Sequence, residues 1–461
     1  MKEPFKTNQR GVTRRLILTS GLAVVSMVLL LWGARADAVP SFARQTGLSC
    51  NACHTTLPEL TPLGRQFKLN GYTLRGLKTI SSKPGHENAA LDLLTELPLS
   101  AQFTISNTST MQPQPGTQNG SFELPQSASL FLAGAMGDHV GGFIQVTYEG
   151  QADHFSWDNT DIRCTKHTKL AGKDFVYGVD FNNNPTVEDL WNDTPAWGYP
   201  WVAPDAAPSP SASPILAGPL AQDVAGIGGY SLFDEHLYAA GFIYRSDHLG
   251  GAVPNPGTGF GTNIQGVAPY WRLAWQQTLG KDYLEVGSYG MHLVSTPSGV
   301  LGPRDYFTDL AADFQWEHTV PWQGRDDLLT VHGNFIHEDS DLLGTLAAGN
   351  ASLGPHVLNL ERVDAIYHLG NRFSFDAEPF AMTGTPDSLL FAPAPVSGSA
   401  THDPRSSGYL LNVSYWPLQN IQLGVQYAGY WRFNGAGVNY DGSGRNASAN
   451  NSVYLISWFV F

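Results

Sequence analysis

Charge is scarce in this sequence. Asp, Glu, Lys and Arg make up 14% of its 461 residues, where a soluble domain carries about 25%. Such depletion fits a chain that meets lipid. Yet the mean hydropathy is -0.17 and a single long apolar run stands near the amino terminus, which excludes a bundle of membrane helices. Three cysteines exclude a disulfide scaffold. Basic residues are also few: 26 Lys and Arg against 40 Asp and Glu leave a net charge of -14. No basic surface would offset phosphate repulsion, so nucleic acid is excluded as a partner. What is plentiful is aromatic and small, with 23 Phe, 18 Tyr, 12 Trp and 49 Gly, too much apolar surface for disorder. An uncharged, aromatic, Gly-rich chain that is not helical points to β-structure in contact with something other than water.

The amino terminus reads as an export signal. Lys2, Lys6, Arg10, Arg14 and Arg15 precede the apolar stretch 16–32, and Ala36-Asp37-Ala38 has the small-x-small cleavage pattern, so residues 1–38 are set apart. A retained anchor is the alternative, and Thr13-Arg14-Arg15 leaves the general or twin-arginine route open.

Directly after it comes Cys50-Asn51-Ala52-Cys53-His54. Two thiols at this spacing can add across both vinyl groups of one haem c, and the adjacent imidazole can bind its iron. A redox dithiol would need a thioredoxin-like βαβ context, and zinc a second ligand pair; neither is present. One such motif implies one haem, held by Cys50 and Cys53 with His54 as axial ligand. The distal ligand is open: no Met or His lies between Thr55 and Gly85, leaving His86, Met111 and Met136 or none. Arg65 and Lys68 are candidates to pair with propionates, and Phe42, Phe67 and Tyr72 to wall the ring. Residues 39–96 are too few to bury an adequate core, so this segment is expected to dock on something larger.

From residue 97 to 461 the pattern is period two. Leu99, Ala101, Phe103 and Ile105 interleave with Ser100, Gln102, Thr104 and Ser106, and fifteen comparable segments follow, each long enough to cross a bilayer when tilted. Short links alternate with long ones at 107–122, 150–158, 183–221, 247–267, 294–304, 338–356, 380–406 and 433–451. This alternation predicts an all-β fold, a 16-stranded antiparallel outer-membrane β-barrel with periplasmic turns, extracellular loops and periplasmic termini. A soluble propeller would show a repeat of about 40–50 residues, and none is found. The long links hold 13 acidic and 3 basic residues, predicting a negative outer rim that concentrates cations. At the start of the 338–356 link, His337, Glu338, Asp339 and Asp341 form a candidate site for ferrous iron. The Pro-rich 183–221 link is expected either to be disordered or to fold into the barrel mouth, and Cys164, in mid-strand, to be inert packing.

Several motifs share a resemblance. Pro40-Ser41-Phe42-Ala43-Arg44-Gln45-Thr46-Gly47-Leu48-Ser49-Cys50, Cys53-His54, Leu63-Gly64-Arg65, Phe67-Lys68 and Gly71-Tyr72-Thr73 resemble the fused outer-membrane monohaem cytochrome–porins of iron-oxidising bacteria. Trp157-Asp158-Asn159, Asn182-Asn183-Asn184-Pro185-Thr186, Asp189-Leu190-Trp191 and Pro195-Ala196-Trp197-Gly198 are similar to that family too. The segment Thr55-Thr56-Leu57-Pro58 departs from the aromatic-rich sequence expected after its haem motif. The resemblance implies a small haem c domain lodged in or against a porin. It implies oxidation of extracellular Fe(II), with the electron passed to a periplasmic c-type cytochrome or other acceptor. The alternatives are a conduit for a different donor or acceptor, or a solute porin with a redox-active haem plug.

Overall fold

The computed structural model describes residues 40–74, 79–82, 91–198, 203–247, 262–297 and 302–461. The export signal or anchor of residues 1–38 and the candidate ligand His86 lie outside the described residues. Val39 to Phe461 form one compact unit.

Three short helices come first: α1 (Ser41–Thr46), α2 (Cys50–Cys53) and α3 (Pro62–Leu69). A two-stranded ribbon follows, β1 (Thr79–Ser82) with β2 (Leu91–Leu94). Next are β3 (Leu99–Thr110), β4 (Ser121–Gly137), β5 (Val140–Glu149), β6 (His154–Leu170), β7 (Lys173–Asn182), β8 (Val224–Phe233) and β9 (Leu237–Ser246). The short β10 (Thr262–Ile264) lies on the strand Asp282–Pro297. Then come β11 (Ala268–Leu279), β12 (Asp282–Pro297), β13 (Asp305–Trp322), β14 (Arg325–Leu342), the helical turn α4 (Leu343–Ala347), β15 (His356–Leu369), β16 (Phe373–Gly384), β17 (Ser406–Leu418), β18 (Ile421–Arg432) and β19 (Ser452–Val460). Each of β3–β9 and β11–β19 pairs antiparallel with its neighbour, β9 pairs with β11, and β19 returns to β3. Sixteen strands thus close on themselves and leave no edge.

The barrel is polar inside and apolar outside. In β3 the buried side chains are Ser100, Gln102, Thr104, Ser106, Thr108 and Thr110, while Leu99 and its alternates face out. Leu130, Leu132, Leu273, Val286, Leu310, Leu411 and Val425 are large, exposed and outward. Aromatic side chains belt both ends. Phe175 stacks on Tyr177 and Phe373 on Tyr415 near the short turns, and Tyr148 meets Phe155 and Tyr409 meets Trp431 near the long loops. An apolar band between aromatic belts is the surface a bilayer requires. The chain is an integral outer-membrane β-barrel, entering and leaving the wall on the short-turn side.

Seven connections are turns of two or three residues, from 138–139 to 419–420, and the others are longer. The link expected at 150–158 shrinks to 150–153 because β6 already starts at His154. β13 and β14 run for 18 residues each, about twice what a tilted strand needs to cross, so hydrogen-bonded pairing continues beyond the bilayer. Cys164 is exposed on the outward phase of β6, rather than packed within the wall, because a two-residue period puts it opposite the buried Arg163 and Thr165.

Several rim acids are used to fold the loops. Asp387 accepts from the backbone amides of Ser352, Leu389 and Leu390 at 2.7–3.1 Å and from His356 at 2.8 Å. Asp441 takes the amides of Val396, Ser443 and Arg445, and Asp305 those of Gly344 and Thr345 at the start of α4. Burial alone would raise the Asp387 carboxyl, but His356 and the three amides hold it far below its ordinary value of 3.8. A carboxylate held low stabilises fully above its unfolded value and loses this as pH falls through the lowered one. The 385–405 loop is therefore expected to resist protease from neutral pH down to about 4 and to open only in stronger acid. Asp387→Ala should open it at every pH, at a cost of about 1.5–3 kcal/mol for the lost charged hydrogen bonds.

Candidate functional site

The lumen is filled from two directions. From the short-turn side come α1–α3. Pro40 precedes α1, and Gly47 ends it in the left-handed conformation (φ 69°) with its amide on the Ala43 carbonyl. Thr61 caps α3, its hydroxyl oxygen accepting from the Gly64 amide at 3.2 Å, and Pro62 takes the first helical position. These helices are tied to the wall. Ser41 and Gln45 donate to the Ala133 carbonyl, Arg65 pairs with Glu317 at 2.6 Å, and Thr165 donates to the Leu69 carbonyl at 3.2 Å. From the long-loop side, the connection after β7 folds inward, so of the two expected forms it takes the folded one. Val187 and Trp191 are fully buried, and the Ile215 and Leu216 amides donate to Glu338 and Asp309 at 2.7 and 3.0 Å.

Between plug and wall lies a cavity of about 260 Å3. Cys50, Cys53 and His54 line it together, with Phe42, Phe67, Tyr72, Phe143, Trp197 and Trp458 as aromatic walls. Phe42 stacks on Tyr72 at 5.6 Å and meets Phe67 edge-on at 5.0 Å. The turn carrying the motif is fixed at several points. The His54 amide donates to the Cys50 carbonyl, the Thr61 amide to the Cys53 carbonyl, and the Cys50 amide to Gln419 at 3.0 Å. A Cβ at Gly64 would collide with the Cys53 carbonyl, so α3 can lie against the motif only with glycine there. Gln419 sits in a short turn, and Trp458 and Val460 also line the cavity, which places it at the periplasmic end.

The chemistry of these donors fits a haem c. His54 Nδ1 lies 3.1 Å from the Glu59 carbonyl; as donor there it leaves Nε2 to bind a metal. Burial pushes the imidazole down to about 4, so it stays neutral at physiological pH, as a ligand must. Burial also raises both thiols above their ordinary 9.0, so neither is a reactive thiolate by itself.

Other residues singled out in the sequence fall elsewhere. Arg65 does not line the cavity; its guanidinium is committed to Glu317 and the Leu60 carbonyl and lies 4.2 Å over the Tyr283 ring. Lys68 does line it, but its ammonium donates to the Val187 and Asp189 carbonyls and to Asn192. Burial brings Lys68 down to about 7. Among the described residues no Met and no second His lines the cavity; Met111 and Met136 are exposed and away from it. His337, Glu338, Asp339 and Asp341 lie within β14, not in a loop. Alternation splits them: Glu338 is buried in the lumen, whereas His337, Asp339 and Asp341 are exposed on the outer side, so the four cannot converge on one ion.

Sequence reading missed the charged groups of the lumen. Arg163 pairs with Asp161 and Asp180, Arg272 with Asp189, Glu285 and Asp313, and Glu59 with His332 and His368. A charge in the polar phase of a strand, as Arg272 between Trp271 and Leu273, marks a lumen position, but only strand register says which charges meet.

No protein-family model matches the chain, and no curated protein matches its sequence. Solved structures that align with it include OmpT of Vibrio cholerae (9% identity, 79% of this chain and 97% of that one, TM-score 0.42). Others are the outer-membrane channel DcaP of Acinetobacter baumannii (11%, 79% and 96%, 0.43) and OmpF of Salmonella typhi (11%, 79% and 98%, 0.43). At these values the likeness carries no argument about this chain, whose own strand pairings establish its closure.

Proposed function

We propose that this barrel is an outer-membrane electron-transfer protein. It takes an electron from extracellular Fe(II) at one covalently held haem c and passes it to a periplasmic c-type cytochrome or another acceptor. The observation that carries the reading is the convergence of Cys50, Cys53 and His54 on one aromatic-walled cavity inside a plugged barrel. Cys50 and Cys53 would hold the group through thioethers and His54 Nε2 would bind its iron; a haem so held supplies a one-electron redox centre. The Glu59 carbonyl orients His54, Phe42 and Tyr72 exclude water, and the inward loop closes the long-loop side. One electron leaves each Fe(II), which becomes Fe(III), and one reaches the acceptor, so no acid or base is required. The choice of Fe(II) rests on the family resemblance.

Anaerobic Fe(II) added near neutral pH to the detergent-purified holoprotein is expected to reduce its haem, read as sharpening of the visible absorption bands. An unchanged spectrum that dithionite then reduces fully would rule out iron as donor. The second reading is a solute porin with a redox-active haem plug. Planar-bilayer recording separates the two readings: the filled lumen should give no stable open-channel conductance, and a porin-sized conductance would favour solute transport.

A further inference from the structure

Among the charged clusters of the lumen, those around Arg163, Arg272 and Glu59 can be compared, and the last differs in kind. Around Arg163 and around Arg272, carboxylates enclose a guanidinium, so a cation is already in place. The third consists of two imidazoles and two carboxylates. Glu59 Oε1 lies 3.8 Å from His332 Nδ1, Glu59 Oε2 3.5 Å from His368 Nε2, and His332 Nδ1 2.8 Å from Asp364 Oδ2. One donor atom each from Glu59, His332 and Asp364 lie within 4.8 Å of one another. Ligands on one ion, with bonds of about 2.0–2.2 Å, stand roughly 3–3.5 Å apart, so small side-chain rotations would close the set.

Two further observations point to a ligand. Glu59 and His332 are more than nine-tenths buried, yet Glu59 Oε1, the oxygen that faces His332 Nδ1, makes no hydrogen bond among the described residues. Such orphaned groups are costly unless something else satisfies them. In addition, a cavity of about 50 Å3 adjoins the cluster, lined by His332, Asp364, Asp193 and Asn334 together with the Arg362 guanidinium, though not by Glu59, which gives an arriving ion room beside two carboxylates and one cation. Mixed imidazole and carboxylate donors suit iron, cobalt, zinc or manganese better than calcium or magnesium.

We propose that Glu59, His332 and Asp364, with His368 at their edge, bind one divalent first-row transition-metal ion inside the lumen. The site adjoins the haem motif directly. The Glu59 side chain belongs to this cluster, while its backbone carbonyl lies 3.1 Å from His54 Nδ1. Taking the bound ion as the electron donor rests on the function proposed above; binding itself does not.

Equilibrium dialysis of the full-length holoprotein against Co(II), with metal counted per chain, tests the site. One saturable equivalent is expected, weakened about ten-fold or more by Asp364→Asn and by His332→Gln and unchanged by His337→Ala on the outer wall. No saturable equivalent in the wild type, or undiminished binding in both lumen variants, would overturn the proposal. If those variants lose the heat-modifiable gel mobility of a folded barrel, the wild type decides alone. Its bound Cu(II) should then show imidazole-nitrogen coupling in electron paramagnetic resonance, and no such coupling would overturn the site. Co(II) binding without haem reduction by Fe(II) would end the electron-donor reading and leave the site standing. Reduction by Fe(II) without Co(II) binding would overturn the site and leave the proposed function standing.

Discussion

Replacing Cys50 and Cys53 together by alanine is expected to abolish covalent haem. Produced in an exporting host with c-type haem maturation, the wild-type chain should carry a haem that survives denaturing electrophoresis, and the double variant none. The expectation follows from position as well as motif. Both cysteines line one cavity, on a single helical turn whose ends are fixed by the His54 and Thr61 amides. His54→Ala should separate attachment from ligation: thioethers still form, but the iron loses its oriented imidazole and the spectrum shifts. Barrel folding should survive all three substitutions, because strand pairing does not pass through the motif. Haem staining that persists in the double variant would refute the assignment outright.

Arg272→Ala is expected to have the largest effect on stability. Its guanidinium lies 2.6 Å from Asp313, 3.1 Å from Asp189, 3.4 Å from Glu285 and 3.7 Å from Asp193, and all these side chains have zero exposure. Removing one partner of a buried ion pair costs about 3–5 kcal/mol, since the remaining charge is left uncompensated. Here one cation faces several carboxylates, and it also joins barrel wall to inner loop through Asp189. Urea unfolding in detergent, followed by tryptophan fluorescence, should show the loss. Arg272→Lys should recover only part, because an ammonium lacks the planar fork. The exposed Lys173–Asp234 pair serves as the contrast; Lys173→Ala should be silent. A loss below about 1 kcal/mol for Arg272→Ala would mean that the acids around it are already protonated.

The strands were legible because a barrel in lipid imposes a strict period of two, and the run from Leu99 to Ser106 shows it plainly. The outward face of that run is the apolar one, as a bilayer demands. Strand ends were harder to read. β6 begins at His154 and β14 runs on to Leu342, because backbone pairing continues outside the bilayer, where the apolar half of the pattern is no longer required. That extension is also why His337-Glu338-Asp339-Ser340-Asp341 resembled a loop cluster while its side chains alternate across the wall. Cys50, Cys53 and His54 were readable because spacing alone defines the motif. The partners of Arg65 and the grouping of Glu59 with His332 and Asp364 were not. They join residues some 250 to 300 positions apart, through a register between β14 and β15 that sets His332 opposite Asp364.

Electron passage through the wall is tested most directly in sealed vesicles. The holoprotein is inserted with its long loops outward, oxidised cytochrome c is enclosed, and Fe(II) is added outside. Enclosed cytochrome c should become reduced with holoprotein present and stay oxidised with the Cys50→Ala/Cys53→Ala variant. If the protein's own haem is reduced while the enclosed cytochrome c stays oxidised, the barrel does not conduct electrons and the proposed function is wrong.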